Sequence, residues 1–365
     1  EPLAELDPVA ARRFVDMLRQ VRAFFDVTVV IAEQRLEGLA ELCDRTVVLE
    51  AGELRHQGET EHVFRTVFKN RDPKAALFIP EINRARLLLN GGESAFPPAL
   101  GAAETPVNKT VPRAAEPAGG GPVLSAKGLY YTYPEAGRPC VRDLSIAVAE
   151  GECLALLGGN GAGKTTLLKL LAGLLKPEAG KVRLTGEKIG YLPQDVQSFF
   201  RFETVAEELR FSGGGAPDLK KLEKLKLAHL LGRHPMDLSG GEMQLVALFC
   251  LLSGKPDILL LDEPARGADP YAASAVFALL KEAGCPVVFS THDMALAARE
   301  ATRCALMFDG NFAREAETAA FFRGNRYYTT PIARALREYG AEGLLLEDVG
   351  WLWERDVPSF LLGLA

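Results

Sequence analysis

The sequence has no CxxC pair, only two tryptophans and five histidines, no long apolar run and no excess of positive charge. Each shortage excludes something. A membrane-crossing helix needs about 18–20 consecutive apolar residues, and no run approaches that. The six cysteines (Cys43, Cys140, Cys153, Cys250, Cys285 and Cys304) lack metal-ligand spacing and sit mostly inside apolar runs. They read as small hydrophobes in a reducing compartment, not as a disulfide frame or a metal site. Basic residues number 42 against 48 acidic, a net charge of −6 with His neutral, which argues against a nucleic-acid partner. No secretory leader is visible, and the sequence starts at Glu1 without methionine, as a processed, trimmed or partial chain would.

What is present is enough for packed domains. Of 365 residues, 48% are apolar and 25% charged, close to the soluble average. At about 100–200 residues per domain the length predicts two domains or slightly more. Residues 92–122 are rich in Pro, Gly and Ala and nearly free of large apolar side chains. Such a stretch buries too little to offset its ordering entropy and reads as a linker. Before it, the short apolar-periodic stretch Ile82–Leu89 reads as a packed tail.

The flanks of this linker repeat one another. Glu1, Pro2, Asp7 and Pro8 match Glu263, Pro264, Asp269 and Pro270 at an offset of 262. After a four-residue shift, Val30, Arg45, Gly52, Thr60 and Phe64 match Val288, Arg303, Gly310, Thr318 and Phe322 at an offset of 258. Both copies predict a helix opened by Asp-Pro, an apolar strand, a short helix, a second strand and a Gly turn. In the first copy the helix is expected over Pro8–Phe25, with Phe14, Leu18, Val21 and Phe25 on one face, and the strands over Val27–Ala32 and Thr46–Leu49. Residues 123–262 precede the second copy, and nothing comparable precedes the first. The expected division is a C-terminal remnant of a first domain over 1–66, a packed tail and linker over 67–122, a complete domain over 123–330 and an extension over 331–365. The apolar content of 341–365 predicts a helix docked on a neighbour.

An apolar strand beginning near Leu154 runs into Gly158–Thr165, which fits G-x-x-x-x-G-K-[ST], followed by a helix expected through Leu175. Glycines let backbone N–H groups approach phosphate oxygens, and the helix N-terminus adds positive partial charge. Gly158, Asn160, Gly161, Gly163, Lys164, Thr165 and Thr166 are therefore the candidate nucleotide-binding residues. Lys164 would reach the β- and γ-phosphates and the Thr165 hydroxyl would ligate Mg²⁺. Farther on, Asp257–Pro264 reads as a buried strand ending in Asp262 and Glu263. Asp262 is placed to hold Mg²⁺, and Glu263 to polarise the attacking water.

Leu238-Ser-Gly-Gly-Glu-Met-Gln, about twenty residues ahead of that strand, resembles the signature motif of ABC ATPases. The resemblance covers the second half of the chain. It implies an α/β P-loop NTPase fold of the ABC type, with a mixed sheet, helices on both sides and a helical signature subdomain. It further implies that Tyr133 stacks on adenine, with Tyr130 and Tyr131 as strand residues. Gln194 would be the glutamine that senses Mg²⁺ and water, Asp269 the aspartate following the acidic strand, and His292 the switch histidine on the γ-phosphate. In this family each ATP is held between two domains, and Ser239, Gly240 and Gly241 would serve the nucleotide of a facing domain. Binding closes such a pair and hydrolysis reopens it.

Glu33-Gln-Arg-Leu-Glu and Phe321–Thr330 resemble stretches of tandem energy-coupling factor (ECF) ATPases. That resemblance implies an ATPase subunit on the cytoplasmic face of a membrane. Its partners would be a transmembrane coupling protein, a substrate-binding membrane protein and a second ATPase domain, and its cargo a vitamin or a transition metal ion. A soluble ABC-F type tandem ATPase acting on ribosomes would need a charged helical linker, which residues 92–122 do not provide. A tandem sugar-importer ATPase is the other alternative. Three residues depart from the pattern. Gln34 stands where the first copy should carry its switch histidine, alongside Glu1 and Asp7 as the remnant's site residues. It can hydrogen-bond but cannot become charged, which predicts slower hydrolysis there. Leu245 replaces the basic residue that commonly follows the signature, and Ala268 the usual leucine near Asp269.

Overall fold

The computed structural model describes residues 2–3, 6–25, 27–34, 36–89, 121–135, 137–214, 219–225, 227–266, 268, 270–323, 325, 328–338, 343–346 and 348. Nearly all of the expected linker lies outside them, as do Glu1, Asp269 and 349–365. By its internal contacts the chain divides into two units, Glu1–Pro112 with Phe322–Ala365, and Arg113–Phe321.

In the first unit α1 spans Pro8–Phe24. Its N-terminus is held by Asp7, whose Oδ1 accepts from the N–H groups of Val9 (3.0 Å) and Ala10 (2.8 Å). Then come β1 (Arg45–Glu50), β2 (Glu53–Glu59), α2 (Thr60–Lys69), α3 (Pro73–Phe78) and α4 (Glu81–Leu89). Val63, Phe64 and Val67 of α2 pack with Ala75, Ala76, Ile79, Ala85 and Leu87.

The second unit holds two sheets. Strands β3 (Leu124–Tyr131), β4 (Val141–Val148) and, later, β6 (Ala179–Leu184) form an antiparallel sheet in the order β4-β3-β6. Between them lie β5 (Cys153–Leu157) and α5 (Lys164–Leu171). There follow β7 (Ile189–Leu192), α6 (Val205–Gly213), α7 (Leu219–Lys224), α8 (Gly240–Ser253), β8 (Ile258–Asp262), α9 (Pro270–Ala283), β9 (Val287–Ser290), α10 (Met294–Glu300), β10 (Arg303–Phe308), β11 (Asn311–Glu317) and α11 (Thr318–Phe322). The main sheet runs β11-β10-β5-β9-β8-β7, parallel except for the β10–β11 pair. Every residue of β8 and β9 is buried, as expected of parallel strands covered on both faces. α6 packs against α8 as the helical portion carrying the signature residues. This is the mixed-sheet P-loop architecture expected.

Helix α5 stops at Leu171, short of the expected Leu175. Gly173 (φ +72°) turns left-handed, its N–H donates to Leu170 O, and Leu174 N–H donates to Lys169 O. That pair of bonds is a glycine C-terminal cap.

The last described helix, α12 (Pro331–Glu338), belongs to the first unit. Ile332 and Leu336, with Leu346, join the cluster around Val63 and Phe64. Thr330 Oγ1 donates to Leu344 O at 2.5 Å. The second domain was expected to run to residue 330, whereas the contacts group Phe322 onward with the first unit.

The internal repeat reappears as backbone register. Arg45 pairs with Glu59 and Arg303 with Glu317; Glu50 pairs with Glu53 and Phe308 with Asn311. The bulge falls between Val48 and Leu49 in one copy and between Leu306 and Met307 in the other. One expectation fails: Val27–Ala32 is not a strand. Its counterpart β9 is hydrogen-bonded on one side by β5 and on the other by β8. In the first unit the described residues offer 27–32 no such neighbours, and Val30 is 91% exposed where Val288 is fully buried. Without a ladder the extended backbone gains no partner for its N–H and C=O groups.

Candidate nucleotide site

The site lies at the carboxyl ends of β5, β8 and β9, where the strand order reverses and open α/β sheets place ligands. The loop leaving β5 can only be made of glycine at two points. A Cβ on Gly158 (φ +146°) would sit 2.4 Å from Met307 O, and one on Gly163 (φ +105°) would sit 2.5 Å from Cys140 O. Gly163 is the N-cap of α5, so Lys164, Thr165 and Thr166 form its first turn. Lys164 is buried, and its ammonium donates to Gly158 O (2.8 Å) and Gly159 O (3.1 Å). Asn160 and Gly161 are exposed at the tip of the loop.

Asp262 ends β8, opposite Ser290 of β9. Ser290 Oγ donates to Asp262 Oδ1 at 2.6 Å and accepts from Glu263 N–H at 2.9 Å. One hydroxyl thus fixes both acids, a role sequence patterning did not assign to Ser290. Its position two residues before His292 was the available signal. Burial pushes the Asp262 carboxyl above its usual range, against the hydrogen bond from Ser290, the influence of the Thr165 hydroxyl and the charge of Lys164. Its Oδ2 is buried with no hydrogen-bond partner among the described residues. Two hard oxygens, the Asp262 carboxylate and the Thr165 hydroxyl, beside a phosphate loop fit Mg²⁺, which takes one or two protein oxygens and keeps several waters.

Glu263 occupies the left-handed region at φ +52°, uncommon outside glycine and typical of functional turns. His292 Nε2 lies 2.7 Å from its Oε1, and Arg266 Nε 3.8 Å from its Oε2. Burial works against the charged form. The His292 hydrogen bond and the charges of His292, Arg266 and Lys164 outweigh it and hold the Glu263 carboxyl below its usual value. A carboxylate kept ionised in a partly dry site is suited to accept a hydrogen bond from water.

The other candidates are placed less centrally. Tyr133 Oη accepts from Thr166 Oγ1 at 3.4 Å, and its ring meets Tyr131 edge-on at 5.0 Å. Tyr130 and Tyr131 both lie in β3. Gln194 is exposed just beyond the end of β7. Ser239 is the N-cap of α8 in a reciprocal capping box with Glu242: Ser239 N–H and Oγ donate to Glu242 Oε2 at 2.9 and 2.7 Å. Its side-chain bonds go to Glu242, not to the phosphate loop. Gly240 and Gly241 begin that helix. Asp269 and Glu1 lie outside the described residues. In the first unit Asp7 caps α1, and Glu33 accepts from both Leu3 N–H and Gln34 N–H at 2.9 Å.

A glycine-rich loop opening a helix, a buried acid and a second acid held by a histidine, gathered at the strand ends of this sheet, mark a P-loop ATPase fold. The ABC transporter family profile matches residues 141–266. A Bacillus thuringiensis protein described as an ABC transporter ATP-binding protein is 34% identical over 378 residues, covering 96% of this chain and 68% of that protein. The cobalt import ATP-binding protein CbiO of Rhodobacter capsulatus is 36% identical over 225 residues, covering 54% of this chain and 80% of that protein. Among solved structures, cbiO1 of Clostridium perfringens, part of the ABC transporter complex cbiONQ, superposes with a TM-score of 0.50 at 24% identity, covering 60% of this chain and 94% of that one. The chain belongs to the ABC transporter ATP-binding protein family, and it is an ATP-binding ATPase.

Proposed function

We propose that this chain is the ATP-hydrolysing subunit of an ECF-type importer for a vitamin or a transition metal ion. The likeness to the cobalt import protein carries the importer reading, together with Glu33–Glu37 and Phe321–Thr330. Lys164 turns its ammonium from the Gly158 and Gly159 carbonyls to the β- and γ-phosphates. Thr165 and Asp262 would hold Mg²⁺, with Gln194 beyond the end of β7 as the third candidate; when bound, the metal would neutralise phosphate charge. Glu263 orients the attacking water, and His292 contacts the γ-phosphate while keeping Glu263 ionised. Tyr133 stacks on the base. Ser239, Gly240 and Gly241, with Asp269, serve a facing domain's nucleotide at a helix N-terminus.

No described helix is long and apolar enough to cross a membrane. In this reading the subunit sits peripherally on the cytoplasmic face, held by a transmembrane coupling protein beside a substrate-binding membrane protein, as the likeness to the cobalt import protein suggests. Residues 1–66 are the rear of a first ATPase domain. In support, Val29, Val30, Val47 and Leu49 are 40%, 91%, 55% and 68% exposed, while their counterparts Val287, Val288, Ala305 and Met307 are at most 3% exposed.

The test is co-purification of the tagged protein with membrane components, followed by ATP-dependent uptake in vesicles. Retention of a coupling protein and uptake of cobalt, nickel or a vitamin support the reading. Salt-sensitive co-sedimentation with ribosomes and no membrane partner would overturn it.

A further inference from the structure

Two buried oxygens of the second unit have no hydrogen-bond partner among the described residues and lie on neighbouring strands: Tyr191 Oη and Asp262 Oδ2. They share one face of the sheet. Tyr191 is paired with Leu260 in the parallel β7–β8 ladder, and Asp262 lies two residues beyond Leu260, so both side chains point to the same side. On that side Ser290 already occupies Asp262 Oδ1, leaving Oδ2 open. The rest of the Tyr191 ring packs on the apolar cluster of Leu156, Leu260 and Val288, for which a phenylalanine would serve as well. A hydroxyl kept there without a partner carries its full desolvation cost. A phenol hydroxyl that meets a carboxylate can only donate to it.

We propose that Tyr191 is a positioning residue for the metal: its hydroxyl donates to Asp262 Oδ2, directly or through one water, and fixes the carboxylate for Mg²⁺. This rests on Asp262 being the metal-side acid. Outer-sphere hydrogen bonds of this kind orient ligating carboxylates, and their removal weakens metal affinity about 10- to 100-fold.

The experiment uses the full chain and a fluorescent ADP, titrated first in EDTA and then in rising Mg²⁺ or Mn²⁺. Tyr191→Phe keeps the ring and removes only the oxygen. The expected result is unchanged affinity in EDTA, an unchanged or higher melting temperature, and a metal half-point raised about tenfold. In the Asp262→Asn background the same substitution moves the half-point no further. A purely packing role predicts equal half-points for wild type and Tyr191→Phe, and that result overturns the proposal. If Asp262→Asn alone leaves the metal dependence intact, the assignment of Asp262 fails and the proposal with it. If Asp262→Asn abolishes the dependence while Tyr191→Phe does not alter it, only the role of Tyr191 is refuted.

Discussion

His292 Nε2 stands 2.7 Å from Glu263 Oε1, joining the ends of two adjacent parallel strands. The contact couples the histidine to the acid proposed to orient the attacking water. Glu263→Gln keeps the shape but not the charge. ATP turnover is expected to fall about 10²- to 10⁴-fold while nucleotide affinity changes little. His292→Ala should act in the same direction, and the double variant should be little worse than either single one, because the pair works as a unit. Phosphate release under saturating ATP measures all three.

Acid should weaken this pair in a defined direction. The folded-state pKa of Glu263 lies below its ordinary value. Its contribution to stability is therefore complete above the ordinary carboxylate pKa of about 4.3 and is lost as pH falls through the depressed folded value. Asp262 has the opposite sign: its pKa is raised, so it takes up a proton earlier on acidification and gains relative stability as it does so. Urea unfolding between pH 7 and pH 3 should show a smaller acid loss for Glu263→Gln than for wild type. An identical loss in both would refute the assignment.

Lys164→Ala removes two hydrogen bonds to Gly158 O and Gly159 O and, with nucleotide present, the charge on the phosphates. Charge-assisted bonds contribute about 1.5–3 kcal/mol each, so ATP affinity should drop at least about tenfold. Fluorescent-nucleotide titration reads the change, and circular dichroism confirms that the sheet persists.

Gly163→Ala tests the loop's backbone. The new methyl would collide with Cys140 O and force a left-handed residue, since φ is +105°. A loss of about 2–4 kcal/mol is expected from overpacking and conformational strain together. Gly161→Ala, with φ +76° but open space around its Cβ position, should cost only about 1–2 kcal/mol. Thermal melts of the two variants separate the steric part from the conformational part.

Ser239→Ala dismantles the capping box at α8. Loss of the N-cap side chain should lower stability by about 1 kcal/mol. If Ser239 also serves a facing nucleotide, turnover falls by much more than that loss explains. Paired melting and hydrolysis measurements distinguish the two effects.

Short-range chemistry alone determined much of this protein. The Gly158–Thr165 loop, the Asp7 cap before α1 and the apolar strand ending at Asp262 were all legible because each depends on neighbours within a few residues. The repeat was legible too, and the structure adds the register that β1–β2 and β10–β11 share. Tertiary structure decided the rest. Val27–Ala32 has the composition of β9 but not its ladder, because a strand is completed by hydrogen bonds from distant chain. The C-terminal segment found its neighbour in α2 and α4, more than 200 residues earlier, through apolar contacts that carry no local signal. Ser290 ties Asp262 to Glu263, and Tyr191 faces the same carboxylate, only because the crossover order sets β7, β8 and β9 side by side. Residue types name the chemistry of a site, but the parallel ladder sets which oxygens meet.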